Sequence, residues 1–366
     1  MKSVLTVIGT RPEAIKLAPV LKAIGKKARF TNKVCITGQH TDLLDPFLLN
    51  LGIIVDYRFK HYENEGALHQ SAAHILEQFG AILTELKPDL VLVQGDTTTA
   101  FVAALAAFYA RIPVGHVEAG LRTGHLYSPW PEEMHRCLID RLATYFFAPT
   151  DQARNTLLAE GVSPEKVWVV GNTSIDALRL ARKYSKLTRD PKSRVIVVTI
   201  HRRENHGEPL KEICHALRVI VGQFSDVRIV FFLHPNPAVR TPVTDMLSEV
   251  INIDLVEPVD HPSFIQLLDT CAFVVTDSGG IQEEVSFIGK PLLVVRDTTE
   301  RPEGIQAGTA RLVGTKSADI IACCQELLEN AETLDCMSKV HFPYGDGYAA
   351  ERIVRILDQE LGKVSS

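Results

Sequence analysis

Leu90-Val-Leu-Val-Gln94, Gly95-Asp-Thr-Thr-Thr99, Ala100-Phe-Val-Ala-Ala-Leu-Ala-Ala-Phe-Tyr-Ala110 and, three residues later, Val114-Gly-His-Val117 set out a strand, a polar turn, an apolar segment of helical length and a second strand. A strand that feeds a crossover helix and then another strand is the building unit of a parallel sheet. Working outward, the same alternation of short Val/Ile/Leu runs with longer helical segments recurs on both sides. Strands are expected at Val4–Ile8, Lys33–Thr37, Tyr145–Ala148 and Val167–Val170. A second series is expected at Val195–Ile200, Arg228–Leu233, Asp254–Val256, Phe273–Thr276, Leu292–Val295 and Arg311–Val313. Between the series, Arg182 to Ser193 is polar, charged and interrupted by Pro191, which reads as a linker.

The fold class is therefore α/β: two doubly wound, Rossmann-like domains facing a cleft. The expected boundaries are an N-terminal domain over 1–181, a linker over 182–193 and a C-terminal domain over 194–347. The length of 366 residues agrees with two domains. At 46% hydrophobic and 23% charged the chain is neither disordered nor of low complexity. Its 39 basic and 44 acidic residues give a net charge of −5 with no basic tract, which argues against a nucleic-acid partner. Seven scattered cysteines include no CxxC pair, so they read as buried thiols in a reducing compartment. The apolar run from Val4 to Gly9 is too short for a signal peptide, and Ala100–Ala110 is too short to span a membrane. The expectation is a soluble, cytoplasmic protein with no membrane partner.

In doubly wound sheets ligands sit at the carboxyl ends of the strands, and the chemically capable residues of this chain follow strands. Thr276-Asp-Ser-Gly-Gly-Ile-Gln-Glu-Glu284 puts small residues between a strand and a helix, where exposed backbone N–H groups make an anion cradle. The plainer reading is that Asp277 or Ser278 is an N-cap. On the same helix, Glu284 could accept bonds from ribose hydroxyls. Gly9-Thr-Arg-Pro-Glu-Ala-Ile-Lys16 offers Arg11 and, one turn on, Lys16 as diphosphate clamps, with a capped, ion-paired helix start as the alternative. Asp96, Glu118 and Glu132 bring three carboxylates to neighbouring strand ends and could divide acid and base tasks. Asp96 could instead be an N-cap and Glu132 a helix-dipole partner, whereas Glu118 has no easy structural role. His201-Arg-Arg-Glu204 joins a proton carrier to two guanidinium groups, and His234-Pro-Asn-Pro237 reads as a rigid turn. The histidines lack ligand spacing for a metal, and no P-loop or dinucleotide loop is present. Gly345-Asp-Gly-Tyr-Ala-Ala350 imitates a dinucleotide loop but lies too near the end of the chain to serve as one.

Taken together, the segments from Gly9, Gly95, His116, Tyr127, His201, Asp277, Arg296 (Arg-Asp-Thr-Thr-Glu-Arg-Pro-Glu) and Pro343 (Pro-Tyr-Gly-Asp-Gly) resemble those of the bacterial non-hydrolysing UDP-N-acetylglucosamine 2-epimerases. The resemblance runs from Val4 to the last helix. It implies a glycosyltransferase-B type fold whose last helix, 348–366 here, returns to the first domain. It implies reversible epimerisation at carbon 2 through elimination of UDP to 2-acetamidoglucal, without cofactor, by a homodimer supplying N-acetylmannosamine for surface polysaccharide. Carried over by position, Ser278, Gly279, Gly280, Glu284, Arg301 and His201 hold UDP, with Phe264 near uracil. Arg11, Lys16, Asp96, Glu118 and Glu132 surround the phosphates and sugar, and His201 joins the three carboxylates as a catalytic candidate. A second, allosteric substrate molecule is implied at Gln39, His40, Glu133, Arg202 and His234, where His74 stands in place of a usual arginine. The chain also departs from the pattern at Ile200, in place of Gly, and at Val259, in place of Gln. A glycosyltransferase, a hydrolysing relative and a catalytically silent nucleotide-sugar sensor are the competing readings.

Overall fold

A computed structural model describes residues 1–37, 48–49, 51–59, 68–182, 194–339 and 343–363. The chain divides into two compact units, one of Met1–Ala177 with Gly345–Ser366 and a second of Leu178–Tyr344. Of the expected linker, only Arg182 lies within the described residues.

The first unit runs β1 (Lys2–Ile8), α1 (Arg11–Gly25), β2 (Phe30–Ile36), β3 (Tyr57–Arg58), α2 (Leu68–Leu86), β4 (Leu90–Gln94), α3 (Thr98–Tyr109) and β5 (Val114–Val117). It continues through α4 (Glu132–Leu142), β6 (Tyr145–Ala148), α5 (Asp151–Ala159), β7 (Val167–Val169) and into α6 (Thr173–Arg182), the helix in which the division falls. Its seven strands are parallel, in the order β3-β2-β1-β4-β5-β6-β7. Both faces of the sheet are covered, which is why these strands read as continuous apolar runs. Val4, Ile8, Leu90 and Leu92 pack to one side with Leu17 and Ile24 of α1. Leu5, Val7, Val91 and Val93 pack to the other with Phe79 of α2 and Ala103 and Ala107 of α3.

In the second unit come β8 (Val195–Thr199), α7 (Glu208–Gln223), β9 (Arg228–Phe232), α8 (Pro237–Leu247), β10 (Ile253–Val256), α9 (His261–Thr270) and β11 (Phe273–Thr276). They are followed by α10 (Gly279–Ile288), β12 (Leu292–Val294), α11 (Pro302–Gln306), β13 (Ala310–Leu312), α12 (Ser317–Glu329) and α13 (Ala331–Met337). The six parallel strands are ordered β10-β9-β8-β11-β12-β13. The final helix, α14 (Ala349–Lys363), belongs to the first unit, where Ile353, Val354, Leu357 and Leu361 join the α1 side of the core.

The strand order of each sheet reverses once, between β1 and β4 in the first unit and between β8 and β11 in the second. The loops leaving those four strands are the switch-point positions where such sheets receive ligands. They carry Thr10-Arg11, Asp96-Thr97, His201-Arg202 and Asp277-Ser278. Strands β4, β5, β6 and β11 have the bounds expected from sequence, whereas β2 begins three residues earlier and β3 has no apolar run to announce it. A two-residue strand is held by pairing of Tyr57 and Arg58 with Cys35 and Ile36. No helix among the described residues is long and apolar enough to cross a membrane.

Candidate active site

In the first unit the β1 and β4 loops are tied together by a carboxylate that the motif reading passed over. Thr10 caps α1, and Glu13, three residues on, turns back in the manner of a capping box. Its Oε2 accepts from the Gly9 amide (3.0 Å) and the Thr10 hydroxyl (2.8 Å), and its Oε1 accepts from the Thr97 hydroxyl (2.8 Å). Thr97, not Asp96, is the N-cap of α3, accepting from the Ala100 amide. Burial outweighs these bonds and pushes the Glu13 carboxyl up to about 7. Gly9 has no room for a side chain, since a Cβ there would lie 2.2 Å from the Thr99 hydroxyl oxygen.

Freed from capping, Asp96 instead bonds the Arg136 guanidinium, whose other nitrogen reaches Glu133 at 3.1 Å. Glu133 is itself buried and accepts from the Thr123 and Gly124 amides (2.8 and 3.0 Å), so it fixes the loop before α4. Glu118 sits past the end of β5 at φ 71°, a conformation few side chains adopt without compensation. The compensation is a buried ion pair with Lys16 and a bond from the Gln94 amide (2.8 Å) to the same oxygen. Two cation–carboxylate pairs, Lys16–Glu118 and Arg136–Asp96, thus stand at the ends of adjacent strands. Glu132 opens α4, half-buried, with no ion-pair partner among the described residues. Arg11 is the first residue of α1 and half-buried.

Behind this row lies a second buried network, also unread from sequence. His116 is fully enclosed, with Nδ1 2.6 Å from Asp140 and Nε2 2.8 Å from the Gly95 carbonyl, so it fixes the turn that presents Asp96. Asp140 further accepts from the Gly120 amide (3.1 Å) and Arg122 (2.8 Å). Burial alone would raise the Asp140 carboxyl, but the His116 and Arg122 charges and bonds hold it below its usual range.

The corresponding device in the second unit is Asp277. It is fully buried and accepts from the His201 amide (3.0 Å), the Arg202 amide (2.9 Å) and the Asn205 side-chain amide (2.9 Å), locking the β8 loop to the β11 loop. Against the cost of burial, these bonds and His201 hold its carboxyl below the usual range. Ser278 occupies the N-cap of α10 but makes no side-chain cap bond, so the plainer capping reading does not account for it. A Cβ on Gly279 would fall 2.6 Å from Arg301, whereas one on Gly280 would meet nothing within 4 Å. A side chain on the first glycine would have to displace the ends of the Arg301 and Glu300 side chains, whereas the second has room for one.

Arg301 lies under that turn, bonded to Glu283 and Glu300 (2.6 Å each), and Glu300 continues to Arg296 (2.8 Å) and Arg202 (3.4 Å). The His201 ring is about one-third exposed and stacks on His234, with centroids 5.9 Å apart. Burial and the His201 charge lower the pKa of His234. Phe264 packs edge-on against Phe232 (5.1 Å), Glu284 bonds His261, and Val259 is exposed. His74 is half-buried on α2, and Gln39 and His40 lie outside the described residues. No group of His, Cys, Asp and Glu among the described residues is arranged to hold a metal ion.

Comparison with known proteins finds relatives over nearly the whole chain. Residues 22–358 match the family model described as UDP-N-acetylglucosamine 2-epimerase. The chain is similar to the UDP-N-acetylglucosamine 2-epimerase of Escherichia coli K12, at 48% identity over 369 residues, 97% of this chain and 98% of the relative. Its fold is similar to the crystal structure of UDP-GlcNAc 2-epimerase from Neisseria meningitidis bound to UDP-GlcNAc. The TM-score is 0.95 at 45% identity, over 98% of this chain and 100% of that one. The Methanocaldococcus jannaschii enzyme, in complex with UDP-GlcNAc and UDP, aligns with a TM-score of 0.85 at 34% identity, again over 98% and 100%. The α/β architecture, the switch-point loops and this breadth of similarity lead to one conclusion: the chain belongs to the UDP-N-acetylglucosamine 2-epimerase family.

Proposed function

We propose that this chain interconverts UDP-N-acetylglucosamine and UDP-N-acetylmannosamine by eliminating UDP to 2-acetamidoglucal and adding it back. The observation that carries the reading is the placement of Asp96 and Glu118 at adjacent strand ends, each against a buried cation, with Glu132 on the neighbouring helix. In the forward step the C1–O bond breaks and its electron pair leaves with UDP. The proton on carbon 2 passes to a carboxylate, and the C–H pair becomes the C1=C2 double bond. Return of a proton to the opposite face, with UDP re-adding at carbon 1, gives the epimer. Asp96, Glu118 and Glu132 form the set that accepts and returns that proton. Arg11 and Lys16 offset the charge gathering on the departing diphosphate.

UDP is held from the second unit. The first-turn N–H groups after Ser278 bind phosphate as helix N-termini do, Glu284 accepts from the ribose, and Phe264 lies beside the base. The elimination is redox-neutral and draws on no nicotinamide. Its product is an activated N-acetylmannosamine, a building block for surface polysaccharide.

Incubation with UDP-N-acetylglucosamine alone in deuterium oxide, followed by NMR of the anomeric protons, tests this. Both UDP-sugars should appear, the manno epimer deuterated at carbon 2. Full retention of the original hydrogen overturns the elimination, and accumulation of free N-acetylmannosamine makes the chain a hydrolase.

A further inference from the structure

The neighbour of Glu284 has a part to play that the motifs do not announce. Glu284 is enclosed on α10, and its Oε1 lies 2.9 Å from Nε2 of His261, the first residue of α9. Both side chains are about nine-tenths covered. A carboxylate oxygen accepts, so Nε2 carries the proton and donates. The positive end of the helix dipole acts at that first turn, where the Asp260 side chain already caps the Ser263 amide at 2.8 Å. Glu283, the preceding residue, is spent on Arg301, so the two adjacent carboxylates of α10 have different anchors. One turn beyond His261, Phe264 packs on Phe232, which places the imidazole and the expected base platform on one helical face.

We propose that His261 is a positioning residue for nucleotide binding: it clamps Glu284 by one carboxylate oxygen and so presents the other to a ribose hydroxyl. The inference rests on the assignment of Glu284 to the ribose. A free glutamate loses side-chain rotamer freedom when it binds a ligand, and a clamp made beforehand removes that cost. The arrangement also dictates selectivity, because the benefit of the clamp reaches only a ligand that offers a ribose hydroxyl.

Calorimetric titration with UDP and with 2′,3′-dideoxy-UDP separates this role from general support of the fold. His261→Phe keeps a ring but removes the donor, and should weaken UDP about tenfold, the scale of a bond to a charged group. It should leave the weaker dideoxy-UDP unchanged. His261→Gln retains a donor at the reach of Nε2 and should restore most of the UDP affinity. Should the Phe variant not fold, His261→Asn, whose amide stands at the Nδ1 rather than the Nε2 position, should show the same selective loss of UDP affinity. In a Glu284→Ala background, His261→Phe should have no further effect. Equal weakening of both nucleotides, or unchanged UDP affinity in His261→Phe, overturns the clamp while leaving the epimerase reading intact. Failure of the unsubstituted chain to bind UDP removes both.

Discussion

Asp96, Glu118 and Glu132 differ in what holds them. The first two are anchored by Arg136 and by Lys16 with Gln94, while Glu132 opens a helix without an ion-pair partner among the described residues. Asp96→Asn, Glu118→Gln and Glu132→Gln should each lower turnover by about 10²–10⁴-fold, the usual cost of losing a positioned acid or base. UDP affinity measured by calorimetry should change far less. Normal turnover in all three would return them to structural roles. Glu13 gives a prediction of a different kind. Its carboxyl is raised from an ordinary 4.5 to about 7, so the folded chain binds that proton more tightly than the unfolded chain. The stability this brings is complete below the unfolded value and is lost as the pH rises through 7, on the order of 3 kcal/mol in all. Glu13→Gln does not ionise, so its denaturant stability relative to the parent should rise between pH 5 and pH 8. A difference that stays flat with pH would mean that Glu13 remains in one state throughout.

Among the elements, the two switch points share one design: a buried carboxylate on or next to one loop takes a donor from the other. Glu13 does this for β1 and β4, and Asp277 does it for β8 and β11. In each case the loop is fixed by a carboxylate that does not itself face outward. Asp277→Ala would take the acceptor from two backbone amides and leave the Asn205 side-chain amide with the Val295 carbonyl. It should cost about 3–5 kcal/mol, read as a fall in the urea midpoint. Asp277→Asn, which keeps an acceptor, should lose clearly less. Equal losses would show that filling the space, rather than accepting hydrogen bonds, is what matters there.

At the scale of the whole molecule, the chain leaves its first unit, builds the second, and ends by adding α14 to the core of the first. Ile353 is fully buried there, with Val354 and Leu357 beside it. Ile353→Ala should destabilise the first unit by about 2–5 kcal/mol. Hydrogen exchange should then show lost protection in β1 and α1, hundreds of residues away in sequence, while β8 to β13 keep theirs. Loss centred on Leu178–Tyr344 would contradict the placement of α14 in the first core.

What the sequence by itself determined is the class of fold and which polar turns follow its strands. Strands buried on both faces are dominated by apolar residues, so β4, β5, β6 and β11 could be read to the residue, and the polar turns after strands stood out against them. What only the tertiary structure decided is who holds whom. Lys16 meets Glu118 across 102 residues, the Asp277 carboxylate reaches the His201 amide across 76, and His261 finds Glu284 across 23. The capping box at Thr10 and Glu13 and the helical spacing of Glu133 and Arg136 were local signals that could have drawn attention to those residues. Neither signal could give their second partners, Thr97 and Asp96. Buried polar groups must pair, but which pairs form depends on the distances that a packed sheet imposes, and no local pattern of residues contains them.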